Sequence, residues 1–314
     1  MLSVSALFLA AAALRLIFSS PEPADSPAAA QQTVRVVTAA RYESVAVRAA
    51  GRSRRPRCYT ILLSGIDDSG GGSDTNLLTR FDAEAGRIDV VSLPRDTLLH
   101  HDWYSNRLNF AYASGGTEKL RGEVENLLGV PVDFSVTVNL GGFVSLIDRL
   151  GGVDFEIPMD MDYDDPAQGL HIHFAKGLRH LSGQEAMEVV RWRRNNDGTG
   201  YPDADIGRIR TQQAFLRAAG ESLRVQNIPA LARSALSCVS TDLTAGNLVW
   251  LAGEALKIGS DGIRFHTLPG DGAGVYHHES VYVLDPDATL TLVNEALNPY
   301  DQPITAGELD ILVP

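Results

Sequence analysis

The sequence predicts an α/β fold, with helices packed on a single β-sheet. Strand-like and helix-like apolar patterns alternate between residues 57 and 300, which is typical of this class. No internal repeat is visible, so a solenoid or propeller is not indicated. A chain of 314 residues with 44% hydrophobic and 21% charged residues suffices for one large domain or two small ones. The even spread of elements favours one domain.

Apolar runs of strand length are expected to form the sheet, because they are rich in β-branched residues and bounded by turn residues. The predicted strands are 59–66, 76–81, 87–93, 132–139, 153–157 and 263–268, with a run of weaker strand character at 188–193.

Capping residues delimit the predicted helices. Ser182 and Glu185 form a capping-box pattern, and Asp205 precedes a long amphipathic run. Gly129 follows an apolar stripe and is expected to end its helix in a left-handed conformation. The predicted helices run from Thr117 to Leu128, from Gly141 to Leu150, from Ser182 through Val190, from about Ile206 to Val225, and from Asn247 to Ile258.

The charge distribution points to a specific anionic ligand. A formal net charge of −12 argues against general nucleic-acid binding. Positive charge is nevertheless clustered in three groups: Arg52, Arg54, Arg55 and Arg57; Arg191, Arg193 and Arg194; and Arg208 and Arg210. The two cysteines, Cys58 and Cys238, cannot form a disulfide framework or a zinc site. Two unpaired, partly buried thiols are favoured over a single disulfide.

The N-terminal region predicts export from the cytoplasm. Residues 1–19 are apolar and are interrupted by Arg15, which is typical of a signal peptide or a single membrane anchor. The alternative is a buried helix. Residues 20–56 contain a Pro-, Ala- and Ser-rich stretch and are expected to be a linker to a domain over residues 57–300, with a tail at 301–314. An extracytoplasmic protein follows, either anchored or secreted after cleavage.

The stretch GIDDSGGGSDTNLL, residues 65–78, predicts a metal site. Asp67 lies just past the end of a predicted strand, where α/β folds place ligand-binding groups. The glycines that follow allow the backbone to turn, so that Asp74 converges with Asp67. Two carboxylates with open coordination positions suit Mg²⁺. The alternative is a solvated turn, and the Gly-Lys-Ser/Thr ending of a nucleotide-binding P-loop is missing.

A set of arginines predicts a pyrophosphate site. Arg95 follows a strand, while Arg191 and Arg193 would share one face if their segment is extended. Arg208 and Gln212 are four residues apart on a predicted helix and therefore lie side by side. Guanidinium groups bind phosphate oxygens in pairs and keep their charge. Four arginines beside a metal match a pyrophosphate, although a surface ion pair is the alternative for each one alone.

The histidines do not predict a site. His171 and His173 alternate with apolar residues, and the pairs His100-His101 and His277-His278 occur elsewhere. None has a convincing third metal ligand in the sequence, so all are expected to be structural or surface residues. A serine-hydrolase elbow of the type Gly-x-Ser-x-Gly is absent from the sequence.

Six motifs occur here in a characteristic order: ILLSGIDDSGGGSDTNLL, VVSLPRDT, RLNFAYASGG, GGFVSLIDRLGGVDFEIP, DMDYDDPAQGLHIHFAKGLRHLSGQEAMEVVRWR and DADIGRIRTQQAFL. Together they resemble the LytR–CpsA–Psr family of cell-wall enzymes over residues 57–300. The resemblance implies a single-domain sandwich with a central mixed β-sheet flanked by helices. It also implies a membrane-anchored domain outside the cell. The net charge of −12 and the N-terminal segment argue against a nucleic-acid partner.

The resemblance implies a phosphotransferase that moves a glycopolymer, such as teichoic acid or capsule, from a polyprenyl-pyrophosphate carrier onto peptidoglycan through a phosphodiester. Its cofactor would be Mg²⁺, with Mn²⁺ as the alternative ion. The implied catalytic residues are Asp74, Arg95 and Arg193; the substrate-binding residues are Arg95, Arg191, Arg193, Arg208, Gln212 and Asp205; the metal ligands are Asp67 and Asp74.

Gly72 departs from the family pattern, which has Arg-Ser-Asp-Thr where this chain has Gly72-Ser73-Asp74-Thr75. A lost charged contact to pyrophosphate costs about 1.5–3 kcal/mol unless a neighbouring arginine replaces it. Two alternative functions therefore stay open. One is a pyrophosphatase acting on the same lipid, and the other is a non-catalytic envelope regulator that binds polyprenyl phosphate.

Overall fold

A computed structural model describes residues 20–24, 51–66, 72–100, 105–167, 169–203, 205–223 and 228–314. The predicted signal peptide or anchor at 1–19, most of the predicted linker, and Asp67 lie outside these residues. In the described part of the chain, every helix is too short or too polar to cross a bilayer.

Twelve strands and seven α-helices make up the described fold. The strands are β1 (Cys58–Ile66), β2 (Ser73–Asp82), β3 (Arg87–Leu93), β4 (Phe134–Asn139), β5 (Val153–Ile157), β6 (Met161–Asp165), β7 (Leu170–Phe174), β8 (Gly177–Leu181), β9 (Val239–Thr241), β10 (Ile263–Thr267), β11 (Gly270–Tyr276) and β12 (Glu279–Leu284). The helices are α1 (Leu108–Leu128), α2 (Leu140–Leu150), α3 (Gly183–Arg191), α4 (Asp205–Glu221), α5 (Ile228–Ala235), α6 (Ala245–Ile258) and α7 (Pro286–Leu292).

The central sheet has six strands in the order β10-β3-β2-β1-β4-β9. Its strands are mixed: β1 runs antiparallel to β2 and parallel to β4, and β3 runs parallel to β10. The predicted α/β fold with a central mixed sheet is confirmed. Three two-stranded pairings, β5–β8, β6–β7 and β11–β12, lie outside this sheet.

Side chains alternate along the central strands, so both faces of the sheet are covered. Leu62 and Leu78 pack with α1 residues such as Val124 in one apolar cluster. Leu77, one residue away from Leu78, packs instead in a cluster that contains Leu251 of α6. This two-sided burial explains the nearly continuous apolar character of β1 and β3 in the sequence.

A second layer stands beside the sheet and holds its own apolar cluster. The pairs β5–β8 and β6–β7 contribute Phe155 and Ile172, α3 contributes Val189, and α4 contributes Phe215. Trp192 is 1% exposed in this cluster, and its ring meets that of Tyr201 edge-on with centroids 4.9 Å apart. The layer fixes α3 and α4 relative to the sheet and thereby positions the arginines they carry.

The predicted helix ends are mostly confirmed. Ser182 and Glu185 form the capping box of α3, and Gly129 ends α1 in a left-handed conformation. The helix predicted from Asn247 begins at Ala245, because Thr244 is the capping residue and Asn247 completes the box.

Three predicted boundaries are wrong. The run at 188–193 is not a strand, because the helix begun by the capping box continues to Arg191. The helix predicted from Thr117 begins at Leu108 and crosses a kink at Gly115 and Gly116. Helix α4 ends at Glu221, four residues before the predicted end at Val225.

The four members of the first arginine group all form ion pairs. Its members pair with carboxylates of distant segments: Arg52 with Glu308, Arg54 with Asp133, Arg55 with Asp301 and Arg57 with Glu254. The group therefore fastens the start of the domain to its other end. Cys58 and Cys238 are unpaired, as predicted, and Cys58 is buried.

Candidate active site

A cavity of about 970 Å³ lies between the central sheet and the second layer. Its body is apolar, and its lining there includes Leu63, Leu77, Phe143, Leu170, Ile172 and Phe215. Its lining also contains polar residues, which include Asp74, Arg95, Asn109, Arg191, Arg193, Arg194, Arg208 and Gln212. One continuous space is thus lined by apolar side chains and by five arginines.

The fold brings the predicted arginines together from separate elements. Arg95 follows the end of β3, Arg191 is the last residue of α3, and Arg193 comes two residues later. Arg208 and Gln212 lie one helical turn apart on α4, as predicted. All five line the cavity, whereas Arg210, on the same helix, pairs with the exposed carboxylate of Asp203.

Arg95 and Asp74 form an ion pair within the cavity lining, with Nη1 2.6 Å from Oδ1. Burial opposes the charged state of Arg95, but the hydrogen bond and the negative charges of Asp74 and Asp96 outweigh it. The pKa of the Arg95 guanidinium is therefore raised above its ordinary value. Its Nε lies 3.7 Å from Oδ2 of Asp96, so two carboxylates hold this guanidinium in place.

Asp205 forms ion pairs with both Arg193 and Arg208. Its Oδ1 lies 2.7 Å from Nη2 of Arg208 and 3.6 Å from Nε of Arg193. Arg208 is only 6% exposed, and burial lowers the pKa of its guanidinium, while the charge of Asp205 opposes that shift. Within the described chain, Nε of Arg208 has no hydrogen-bond partner. Asp205 therefore keeps two guanidinium groups close together beside the cavity.

Arg191 and Gln212 occupy the junction between α3 and α4. Nη1 of Arg191 lies 3.7 Å from the sulfur of Met187, and Nε2 of Gln212 donates to the carbonyl of Val190 at 3.2 Å. Arg191 and Arg193 both face the cavity although Arg191 is helical and not extended. The buried Trp192 between them also contributes to the lining.

The oxygen donors at this end fit a hard cation such as Mg²⁺. Asp74 presents a carboxylate that is 45% exposed, and Asn109 lines the same cavity. Oδ1 of Asn109 is buried and has no hydrogen-bond partner among the described residues. Oxygen donors with open positions are what Mg²⁺ requires. The predicted convergence of Asp67 with Asp74 stays a prediction, because Asp67 is outside the described residues.

Sequence reasoning gave Asn109 no role. The motif RLNFAYASGG contains it, but the residue precedes the helix predicted from Thr117 and has no assigned element in the sequence analysis. In the structure Asn109 belongs to the first turn of α1, and its N–H donates to the carbonyl of Arg95 at 2.9 Å. Recognising that α1 starts at Leu108 would have placed this side chain near Arg95.

Gly72 is held in a conformation that suits glycine. Its φ is +120°, and a Cβ atom at this position would lie 2.6 Å from the carbonyl oxygen of Asn109. Backbone contact at that distance cannot be relieved by rotating a side chain. At residue 72, where the family pattern has arginine, the backbone of this chain therefore leaves no room for a side chain.

Similar proteins include cell-wall enzymes of bacilli. The polyisoprenyl-teichoic acid–peptidoglycan teichoic acid transferase TagV of Bacillus subtilis (strain 168) is 31% identical over 248 residues, which is 74% of this chain and 61% of TagV. The TagU transferase of Bacillus cereus is 34% identical over 164 residues, which is 51% of this chain and 50% of TagU. The chain thus spans between half and about three fifths of these relatives.

Solved structures show the same fold. The crystal structure of B. subtilis TagV matches with a TM-score of 0.65 and 26% identity, covering 75% of this chain and 94% of that one. The LytR-Csp2A-Psr enzyme from Actinomyces oris matches with a TM-score of 0.63 and 22% identity, covering 79% and 93% respectively. The sequence profile of the LytR_cpsA_psr family matches residues 28–297. The chain therefore belongs to the LytR_cpsA_psr family.

Proposed function

We propose that this protein transfers a glycopolymer of the teichoic acid class from a polyprenyl-pyrophosphate carrier onto peptidoglycan. The observation that carries the proposal is that one cavity is lined both by apolar side chains and by five arginines. An isoprenoid tail suits the apolar body, and a pyrophosphate suits the guanidinium groups. The proposal agrees with the names of TagV and TagU, which are polyisoprenyl-teichoic acid–peptidoglycan teichoic acid transferases.

The arginines bind and orient the pyrophosphate. Asp205 keeps Arg208 and Arg193 side by side, while Asp74 and Asp96 hold Arg95 at the cavity. Preorganised donors of this kind stabilise negative charge as it develops, without reorganisation during the reaction. In the transfer step that charge accumulates on the departing lipid phosphate.

The transfer exchanges one phosphorus–oxygen bond for another. A hydroxyl oxygen of peptidoglycan bonds to the phosphorus that carries the glycopolymer, and the bond from that phosphorus to the bridging oxygen breaks. Polyprenyl phosphate leaves with the bridging oxygen, and the hydroxyl proton passes to an aspartate at this end of the cavity, either Asp74 or its neighbour. Asp74 and Asp67 would hold Mg²⁺, which supplies further charge neutralisation on the pyrophosphate when bound. Because peptidoglycan is outside the cytoplasm, we also propose that residues 1–19 direct the domain there.

The test is a transfer assay with the full chain, a polyprenyl-pyrophosphate-linked saccharide, peptidoglycan fragments and Mg²⁺. We expect release of polyprenyl phosphate together with a glycan conjugate. EDTA should abolish the reaction, and Mg²⁺ or Mn²⁺ should restore it. Arg193→Ala should lower the rate by roughly 10- to 100-fold, because a hydrogen bond between charged groups contributes about 1.5–3 kcal/mol.

Arg210→Ala is the matched control, because Arg210 is an arginine of α4 that lies outside the cavity lining and is paired with Asp203. Its rate should equal that of the unmodified chain. Free phosphomonoester ends without conjugate would identify a pyrophosphatase instead. Bound but unchanged lipid would identify a polyprenyl-phosphate-binding regulator. Either result would overturn the proposed transfer.

A further inference from the structure

The outer face of the β6–β7 hairpin carries a cluster of metal-binding side chains. In the register of this pair, Asp162 lies opposite His173 and Asp164 lies opposite His171. One ligand atom from each of Asp164, His171 and His173 lies within 4.8 Å of the other two. Strand pairing thus brings Asp164 to the two histidines as a third ligand, which the sequence alone did not indicate. It is exposed, and it lies apart from the arginines of the active site.

We infer that Asp164, His171 and His173 bind a divalent transition-metal ion of the Zn²⁺ type. Oδ1 of Asp164 lies 2.5 Å from Nδ1 of His171 and 3.3 Å from Nε2 of His173, so one carboxylate oxygen stands between two imidazole nitrogens. Donor atoms around tetrahedral Zn²⁺ are about 3.3–3.5 Å apart, given bonds of about 2.0–2.1 Å. If Oδ1 of Asp164 and Nδ1 of His171 move apart to that distance, the ion fits between them, and a water molecule supplies the fourth ligand.

Asp162 positions one of these ligands. Its Oδ1 lies 2.7 Å from Nδ1 of His173, which leaves Nε2 of that ring directed toward Asp164. A carboxylate on the distal nitrogen of a metal-binding histidine fixes the tautomer and ring orientation and raises ligand basicity. Imidazole donors favour Zn²⁺, Cu²⁺ or Ni²⁺ over Mg²⁺. This site should therefore bind a different metal ion from the oxygen donors around Asp74.

The ion would act on the wall of the cavity. Tyr163, Leu170 and Ile172 alternate with the cluster residues along the same two strands, and they line the cavity from the opposite face. A metal bridging Asp164 of β6 to His171 and His173 of β7 ties the two strands together. The ion would then hold β6 and β7 together in addition to the backbone hydrogen bonds between these two strands.

The experiment is a calorimetric titration of the full chain with Zn²⁺ in excess Mg²⁺, which occupies the oxygen sites. We expect one Zn²⁺ per chain, and loss of that binding in the His171→Gln/His173→Gln double variant. Asp162→Asn should weaken the binding by about 10- to 100-fold. His180→Gln is the matched control, because His180 also faces a cross-strand Asp at 2.7 Å while its Nε2 lies 3.0 Å from the Gly151 carbonyl.

The His180→Gln protein should bind Zn²⁺ like the unmodified chain. The inference is overturned if the unmodified chain binds no Zn²⁺ under these conditions. It is equally overturned if the double variant, with an unchanged circular dichroism spectrum, binds as tightly as the unmodified chain. Zn²⁺ would in that case be held by histidines elsewhere in the chain.

Discussion

Replacing Asp205 by Asn should destabilise the protein, because Asp205 is the ion-pair partner of a buried guanidinium. The Asn side chain keeps the shape of Asp but removes the charge 2.7 Å from Arg208, whose side chain is 7% exposed. Breaking a fully buried pair costs about 3–5 kcal/mol. Asp205 is 22% exposed and Asp74 also attracts Arg208, so we expect a smaller loss of about 2–3 kcal/mol.

Thermal unfolding measures this loss. For a domain of this size, each kcal/mol lowers Tm by about 2–4 °C, so Asp205→Asn should lower it by roughly 4–12 °C. The control is Asp203→Asn, two residues away. Asp203 pairs with Arg210, but their side chains are 37% and 58% exposed. Surface pairs of this kind contribute about 0–1 kcal/mol.

Equal melting temperatures for the Asp205→Asn and Asp203→Asn proteins would refute the reasoning. Such a result would mean that Arg208 is stabilised by solvent or by Asp74 without help from Asp205. It would also remove the structural argument that Asp205 holds Arg193 and Arg208 together for the pyrophosphate.

Three further predictions concern individual side chains. Gly72→Arg should lower the free energy of unfolding by about 1–3 kcal/mol and should not speed up transfer. Gly72→Ala should lower the free energy of unfolding, measured in urea, by the same amount. Faster transfer by the Gly72→Arg protein with unchanged stability would contradict this. Ser182→Ala should lower the free energy of unfolding by about 1 kcal/mol, because it removes the side-chain cap of α3. The urea midpoint should fall accordingly, and an unchanged midpoint would contradict the prediction. Burial raises the pKa of the Cys58 thiol to about 12, so a thiol reagent should label only Cys238 until the protein unfolds.

The strands of the central sheet were predictable because their signal is local. β3 and β5 have the predicted bounds, since each is a short apolar run between turn residues. Arg95 and Arg208 were also predictable as neighbours of the cavity, because the sequence indicates the strand that Arg95 follows and the helix that carries Arg208. Arg191 and Arg193 line the cavity although their segment was predicted as a strand and is helical to Arg191. Helix periodicity alone places Arg208 beside Gln212.

The missed features depend on contacts between distant segments. The helix predicted from Thr117 begins at Leu108 and continues through a kink at Gly115 and Gly116, so Asn109 was not placed on it. The β6 strand is rich in Asp, and only its pairing with β7 brings Asp164 to the histidines. The incompatibility of Gly72 with a side chain likewise follows from the approach of Asn109, which no local pattern shows.

The division of the cavity between separate elements affects how such a protein evolves. Leu170 and Ile172 of the β6–β7 hairpin line the apolar part of the cavity, whereas Arg95 and Arg208 stand on other elements. Under the proposed function, mutations on the hairpin would change the space for the lipid tail without touching the residues proposed to bind the pyrophosphate. The two properties could then change independently in related proteins.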